Sequence, residues 1–373
     1  MRPAPDPLLL QLLQSDATPA AGPEDWRRAA TAARPEGLEP WLYRRIVRGA
    51  NAVPDDVRDE LRDASLRTTA RALALAAELA AILRALAAAG IACAPLRGAA
   101  LAEWLYDDAC ARPAGDIDLL VRRADLDVVE AALAALGFRA MDRRAGFARE
   151  FSYTLELSRD GVVVEPHWTL AYPPFVDALD MDRVWAGCRP GRVVGEPALL
   201  LAPEAVLLNL CLHLVHKAPD VPLLWLLDVD RLVRRDAASI DWDELLALAR
   251  GARVERQVAA ALRSVVNQLA TPLPVRVLSA LDAAGGAALD RLLVPDAGVD
   301  GRESLAVLFA LSGVRRRARY AAALLFPSRG FMAMEYGVTG PGALAVAYTR
   351  RARHLLWEGL KGTARLLRPI CPI

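Results

Sequence analysis

Apolar residues recur along this chain at two different periods. From Pro7 to about Ala89 the period is helical: Leu8, Leu9, Leu10, Leu12 and Leu13 open it, and Thr68 to Ala88 is an Ala/Leu/Arg stretch without a breaker. At Gly90 the period changes. Ile91-Ala92-Cys93-Ala94-Pro95-Leu96 reads as a short buried strand that runs through Arg97-Gly98-Ala99-Ala100 into a helix reaching Tyr106. A second strand is predicted over Asp116 to Val121; Asp125 is placed to cap a helix over Leu126 to Leu136, and Gly137 to stop it. A hairpin follows, in which Phe151, Tyr153, Leu155 and Leu157 alternate with Ser152, Thr154 and Glu156. Asp160-Gly161 supplies its turn, and Val162 to Glu165 forms the returning strand. Beyond about Gly195 the helical period resumes over Pro203 to His216, Leu223 to Arg234 and Trp242 to Leu269, then through an Arg-rich segment to the end.

The order strand, helix, strand, helix, strand, strand describes an α/β (α+β) unit with a small mixed sheet, too short for a complete doubly wound fold. We therefore expect three zones: a helical N-terminal segment at 1–89, this core at 90–195, and a larger all-α domain at 196–373. A length of 373 residues suits such a division.

Composition alters little of this picture. Hydrophobic residues make up 54% of the chain, much of it Ala and Leu, as in helix-rich proteins. The longest apolar stretches are interrupted, Ala72 to Leu96 by Glu78 and Arg84, and Leu305 to Phe326 by Arg315, Arg316, Arg317 and Arg319. No transmembrane span is expected. Met1 to Asp6 lacks the apolar core of a secretory signal, so the cytoplasm is the expected compartment. Cys93, Cys110, Cys188, Cys211 and Cys371 are odd in number and form no Cys-x-x-Cys pair, which argues against a disulfide framework or thiolate zinc site and for buried small hydrophobes. Net charge is +1, yet from Val314 onward eleven Lys or Arg face two acids, Glu335 and Glu358. Contact with nucleic acid or an anionic membrane surface through this segment is not favoured, because few aromatics interleave with the charges to stack bases.

The chemistry concentrates at Gly115-Asp116-Ile117-Asp118-Leu119-Leu120-Val121. Strand alternation puts Asp116 and Asp118 on one face, where two like charges are costly unless a cation joins them. A hard cation such as Mg²⁺ accepts carboxylate oxygens and keeps open positions for phosphate. On the returning strand Val163, Glu165 and His167 share a face, so Glu165 can complete a three-acid set; Glu156 is the alternative third acid. Arg97-Gly98 stands where a strand gives way to a helix, a place suited to gripping phosphate, and Arg97 and Arg112 carry guanidinium forks for it. The plainer alternative for Asp116 and Asp118 is a strand end paired with Arg122 and Arg123. His167, His213 and His216 (the last two at i, i+3 on a helix) and Asp228 are candidate accessory residues; without a third ligand near His213 and His216, a zinc hydrolase reading is disfavoured.

Leu96-Arg97-Gly98-Ala99, then Arg112-Pro113-Ala114-Gly115-Asp116-Ile117-Asp118, then Glu165-Pro166-His167-Trp168 together resemble the nucleotidyltransferase superfamily related to DNA polymerase β, and within it a bacterial branch of uncharacterised nucleotidyltransferases. The similarity runs on through Pro203-Glu204, His213 to His216, Trp225 to Asp228 and the Arg-rich tail. It implies that Asp116, Asp118 and Glu165 are catalytic metal ligands for one or two Mg²⁺, with Mn²⁺ as a substitute. Arg97, Gly98, Ala99, Arg112 and Gly115 would then surround the nucleotide phosphates. Ala99 stands where many superfamily members have Ser, and Arg97 where this branch commonly has Lys. The implied reaction moves a nucleoside monophosphate from an NTP to an acceptor and releases pyrophosphate. A catalytically weak nucleotide-binding or scaffold protein acting through its helices is the alternative.

Overall fold

The computed structural model describes residues 5–15, 17, 19–49, 53–106, 108, 112–141, 146–218, 221–283, 307–338 and 340–366; Cys110 and Cys371 lie outside them. Four helices open the chain: α1 (Pro7–Gln14), α2 (Pro23–Ala33), α3 (Glu39–Gly49) and α4 (Asp55–Ala88). Pro7 suits the first turn of α1 because it has no N–H to leave unbonded, and the Asp6 carboxylate accepts from Leu9 N at 3.0 Å. The breaker-free run read from Thr68 belongs to the single 34-residue helix α4. Its first half buries Val57 and Leu61 in a large apolar cluster shared with α1–α3 and the later helices. Its second half buries Leu75, Leu79, Ile82, Leu83 and Leu86 in another cluster, under the sheet.

The sheet is built from β1 (Cys93–Pro95), β2 (Ile117–Val121), β3 (Arg139–Ala140), β4 (Leu157–Arg159) and β5 (Val162–His167), interleaved with α5 (Ala99–Leu105), α6 (Leu126–Ala135) and α7 (Phe147–Phe151). The spatial order is β1-β2-β5-β4-β3, and β2–β5 is the parallel pair, matching the small mixed sheet expected of an α/β core. Asp160 and Gly161, both at positive φ, make the β4–β5 turn. β2 is buried along its whole length. Alternation sends Ile117, Leu119 and Val121 to the cluster under the sheet and Leu120 to the large cluster above it, so Asp118 faces the helices that follow.

Three local expectations change. Phe151 ends the short helix α7, so the hairpin pairs only from an isolated Thr154–His167 bridge and β4 onward. Asp125 makes no side-chain cap to α6; it closes a single 3-10 turn at Arg123–Asp125, and α6 ends just before Gly137. The helix read over Trp242 to Leu269 is two helices, because Arg253 takes a left-handed conformation between them (φ 58).

After α8 (Met181–Ala186), the hairpin β6 (Arg189–Val193) and β7 (Glu196–Leu200) spans position 195. The helical part follows as α9 (Pro203–Lys217), α10 (Leu223–Asp236), α11 (Trp242–Ala252), α12 (Glu255–Leu269) and α13 (Val275–Ala283). The Arg-rich segment forms helices Val314–Leu325, Arg329–Tyr336 and Pro341–Leu366. The first of these docks through Tyr320 against Phe147 and Phe151, with Arg316 on Asp177 and Arg319 on Glu150. Among the described residues no helix is long and apolar enough to cross a membrane. Cys93 and Cys211 are buried and Cys188 is half-buried, and burial pushes the Cys93 thiol up to about 12.

Candidate active site

The parallel register of β2 on β5 sets Asp118 directly opposite Glu165. Two positions further along β5, His167 returns to the same face, its Nε2 lying 3.0 Å from Asp118 Oδ1 and 3.6 Å from Glu165 Oε2. One ligand atom from each of Asp118, Glu165 and His167 falls within 4.8 Å of the others, an arrangement able to hold a metal ion. Asp116 stands one residue before β2, half-buried, and its charge acts on both Asp118 and Glu165. Neither Glu156, which is exposed, nor Asp116 belongs to the three-residue group. Arg122 and Arg123, the partners an ordinary strand end would use, turn to Asp182 and Asp177.

Arg97 reaches the same point from the end of β1. Its Nε donates to Asp118 Oδ2 at 2.9 Å and its Nη2 to Oδ1 at 2.6 Å, while Nη1 donates to Asn209 Oδ1 at 3.3 Å. Burial raises the Asp118 carboxyl, but Arg97 and His167 outweigh it and hold that group well below the usual carboxylate range. At Asp116 and Glu165 the Arg97 charge pulls the other way but is outweighed. Burial, then the Asp118 and Asp116 charges, push Glu165 up to about 7, and burial with Asp118 raises Asp116. Three carboxylates against one guanidinium leave surplus negative charge, the condition a hard cation relieves. The donor set therefore fits a divalent metal.

Gly98 caps α5 with φ 55 and ψ −121, a conformation that L side chains rarely adopt. The space bounded by Gly98, Arg112, Asp116 and Asp118 and by Leu75 and Leu79 of α4 is about 20 Å3, room for one water or ion and not for a triphosphate. Ala99 packs at the edge of the cluster under the sheet. Gly115 is exposed, and its carbonyl accepts from Arg71 Nη2 at 3.1 Å.

Arg112 takes a different disposition from the phosphate fork expected of it. Its Nε donates to Asp228 Oδ1 and Oδ2 at 2.9 and 3.0 Å and its Nη2 to Oδ2 at 2.7 Å, while Tyr106 Oη donates to Asp228 Oδ1 at 2.7 Å. Burial opposes the Arg112 charge and Asp228 more than restores it. Asp228 is thus the anchor of the loop that precedes Asp116. His213 packs on Trp225, ring centroids 4.2 Å apart, and is held well below its ordinary value by burial and then by the Arg97 charge. His216 stacks on Tyr172 at 4.5 Å and meets the edge of Tyr153, whose ring lies 5.3 Å from His167. Burial, then Lys217 and Arg97, bring His216 down to about 4. Neither histidine joins a metal-capable group among the described residues.

Sequence reasoning did not single out Asn209, Tyr106, Tyr153 or Arg71. Asn209 left a signal, a lone amide in the buried run Leu207-Leu208-Asn209-Leu210-Cys211 of α9. The other three left none.

A small mixed sheet that gathers carboxylates at a parallel strand pair, behind a strand-to-helix glycine, defines a protein of the nucleotidyl-transfer class. The family model described as "uncharacterised nucleotidyltransferase" matches residues 22–269, and the chain belongs to that family. It is a transferase. Two solved structures are similar to it: the solution structure of the antibiotic-resistance factor ANT(2'')-Ia (18% identity, 52% of this chain and 96% of that chain, TM-score 0.38), and a crystal structure of ANT(2'')-Ia in complex with adenylyl-2''-tobramycin (18% identity, 51% and 98%, TM-score 0.36). These likenesses are too distant to bear on substrate. No curated protein matches the chain.

Proposed function

We propose that this protein is a Mg²⁺-dependent nucleotidyltransferase that moves a nucleoside monophosphate from an NTP to an acceptor, with residues 90–195 as its catalytic unit between two helical zones. The observation that carries this reading is the Asp118–Glu165–His167 group, with surplus negative charge from Asp116 beside it. Asp118, Glu165 and His167, assisted by Asp116, would hold the metal. When bound, Mg²⁺ supplies charge neutralisation for the triphosphate and a more acidic attacking hydroxyl.

The chain's own residues do the rest. A bond forms from the acceptor oxygen to the α-phosphorus, the bond from that phosphorus to the bridging oxygen breaks, and pyrophosphate leaves with the electron pair. The acceptor's proton passes to a carboxylate of the site, for which Glu165, opposite Asp118 on β5, is placed. Gly98 lets the backbone approach the phosphates. Arg97, paired with Asp118 at rest, is the cation that a phosphate can draw away, and its departure would widen the closed space beside Gly98. Arg112 keeps the loop before Asp116 in place through Asp228.

The test is incubation with each labelled NTP and Mg²⁺ against a metabolite pool, reading pyrophosphate release and the mass of any nucleotidylated acceptor, self-modification included. Wild type turns over and Asp118→Asn does not. Equal turnover in the two proteins would overturn the assignment.

A further inference from the structure

The peptide that carries Asp116 stands outside the paired strands. β2 joins the ladder only at Ile117, yet the Asp116 charge acts on Glu165 and answers to Asp118, so its position matters to the acidic site. The start of this segment is held from one side, where Arg112 is locked to Asp228 of α10. Its end is held from the other. Arg71, in the middle of α4, donates from a single Nη2 to Gly115 O at 3.1 Å and to Gly161 O at 3.2 Å.

Those two carbonyls belong to the two strands that make the site. Ile117 lies opposite Val164, and the same parallel register carried back along both strands sets Gly115 opposite Val162, the residue after Gly161. Arg71 therefore bridges the entering ends of β2 and β5 beyond the point where their pairing stops. It does so with a charged donor, whose hydrogen bonds are stronger than those between neutral groups. Because the peptide unit is planar, fixing Gly115 O also fixes the plane from which Asp116 leaves. The adjoining turns of α4 wall the same site: Ala72, Leu75 and Leu79 border the closed space beside Asp116 and Asp118. The anchor for Gly115 is thus set in the helix that already defines one side of the site.

We propose that Arg71 is a positioning residue: by tying Gly115 to Gly161 it sets where Asp116 stands relative to the Asp118–Glu165–His167 group, and so governs the help that Asp116 gives in holding a divalent cation. This role rests on the metal reading of that group given above. The sign of the effect separates positioning from charge. A positive charge near a cation site opposes the cation, so neutralising Arg71 would tighten metal binding if only its charge mattered. Losing the tie weakens it.

Calorimetric titration of the full chain with Mn²⁺ alone, joined to amide hydrogen exchange, tests the proposal. Arg71→Gln should weaken Mn²⁺ binding about threefold to tenfold. Arg67→Gln, the same change of charge one turn earlier on exposed α4, should not weaken it. In an Asp116→Asn background Arg71→Gln should have no further effect, because nothing is left to position. In metal-free protein Arg71→Gln should speed exchange at the amides of Asp116 to Asp118 and leave Leu119 to Val121 as in wild type, which also shows that the variant is folded. Affinity unchanged or tightened by Arg71→Gln, an equal loss with Arg67→Gln, losses that add in the double variant, or unaltered exchange would each overturn the role. Mn²⁺ uptake that Asp118→Asn removes and Arg71→Gln does not touch overturns this role alone. Wild type that takes up no Mn²⁺ overturns the metal reading with it, and that result appears before any variant is compared.

Discussion

Two buried arginine–aspartate pairs lie side by side in this molecule, and they behave as opposites. Arg97–Asp118 and Arg112–Asp228 share the same chemistry and the same bidentate contact, with side chains no more than 11% exposed. Arg112–Asp228 is closed: one positive and one negative charge, the carboxylate also taking the Tyr106 hydroxyl. Arg97–Asp118 sits beside Asp116, Glu165 and His167, so its guanidinium answers to more negative charge than it can match. A saturated pair fixes a loop, whereas an over-subscribed one is open to exchange for another cation.

The strongest way to break this contrast is through activity. Asp118→Asn should reduce nucleotidyl transfer by about a thousandfold or more, the several kcal/mol that metal-assisted charge stabilisation supplies, while cooperative unfolding persists. Next comes stability. Arg112→Met leaves the Asp228 charge buried without its partner and should cost about 3–5 kcal/mol in urea denaturation. Arg97→Met should cost less, because Asp118 keeps His167, and added Mg²⁺ should restore it while doing nothing for Arg112→Met. Mg²⁺ rescue of both variants, or of neither, would erase the distinction between the pairs.

How far the sequence reveals such differences can be judged from these same residues. Strand alternation and a strand-to-helix glycine made the neighbourhood of Asp118, Glu165 and Gly98 legible, whereas Asp116 stands one residue before β2 and outside the three-residue group. Arg97 and Arg112 looked equivalent in sequence, two guanidiniums near an acidic motif, and only the arrival of α10 with Asp228 separates them. That contact joins residues 116 positions apart, beyond any local pattern. His167 could be placed on the Glu165 face, but its closeness to Asp118 depends on the register of two paired strands that lie far apart in sequence. The order of β1, α5, β2, α6, β4 and β5 was readable from periodicity, and the two-residue β3 was not. The break at Arg253 and the helix at Phe147–Phe151 were not, since neither interrupts the apolar spacing.

A smaller effect probes the histidines that back the site. His216 is held at about 4 when folded against an ordinary 6.5, so between those values the unfolded chain binds more protons and stability falls as pH is lowered from 6.5 to 4. The loss should be on the order of 2–3 kcal/mol. His216→Phe keeps a ring against Tyr172 and should flatten that acid limb in urea titrations at several pH values; an unchanged limb would assign it to other groups. Smallest is Gly98→Ala. The added Cβ would stand 3.6 Å from Ala114 Cβ, an ordinary contact, so the expected cost of about 1–2 kcal/mol comes from positive φ alone and should show as a modest drop in melting temperature.

Helix α4 has a consequence for how the molecule comes apart. At 34 residues it is roughly 50 Å long, and it contributes side chains to both apolar clusters. Neither cluster can melt without stripping half of that helix, whose other half then loses the hydrogen-bonded continuity that a long helix depends on. The sheet that carries the acids and the helices above it are therefore tied into one opening event. Amide protons of the buried stretches of α4, around Leu61 and from Leu79 to Leu86, should be among the last to exchange with solvent.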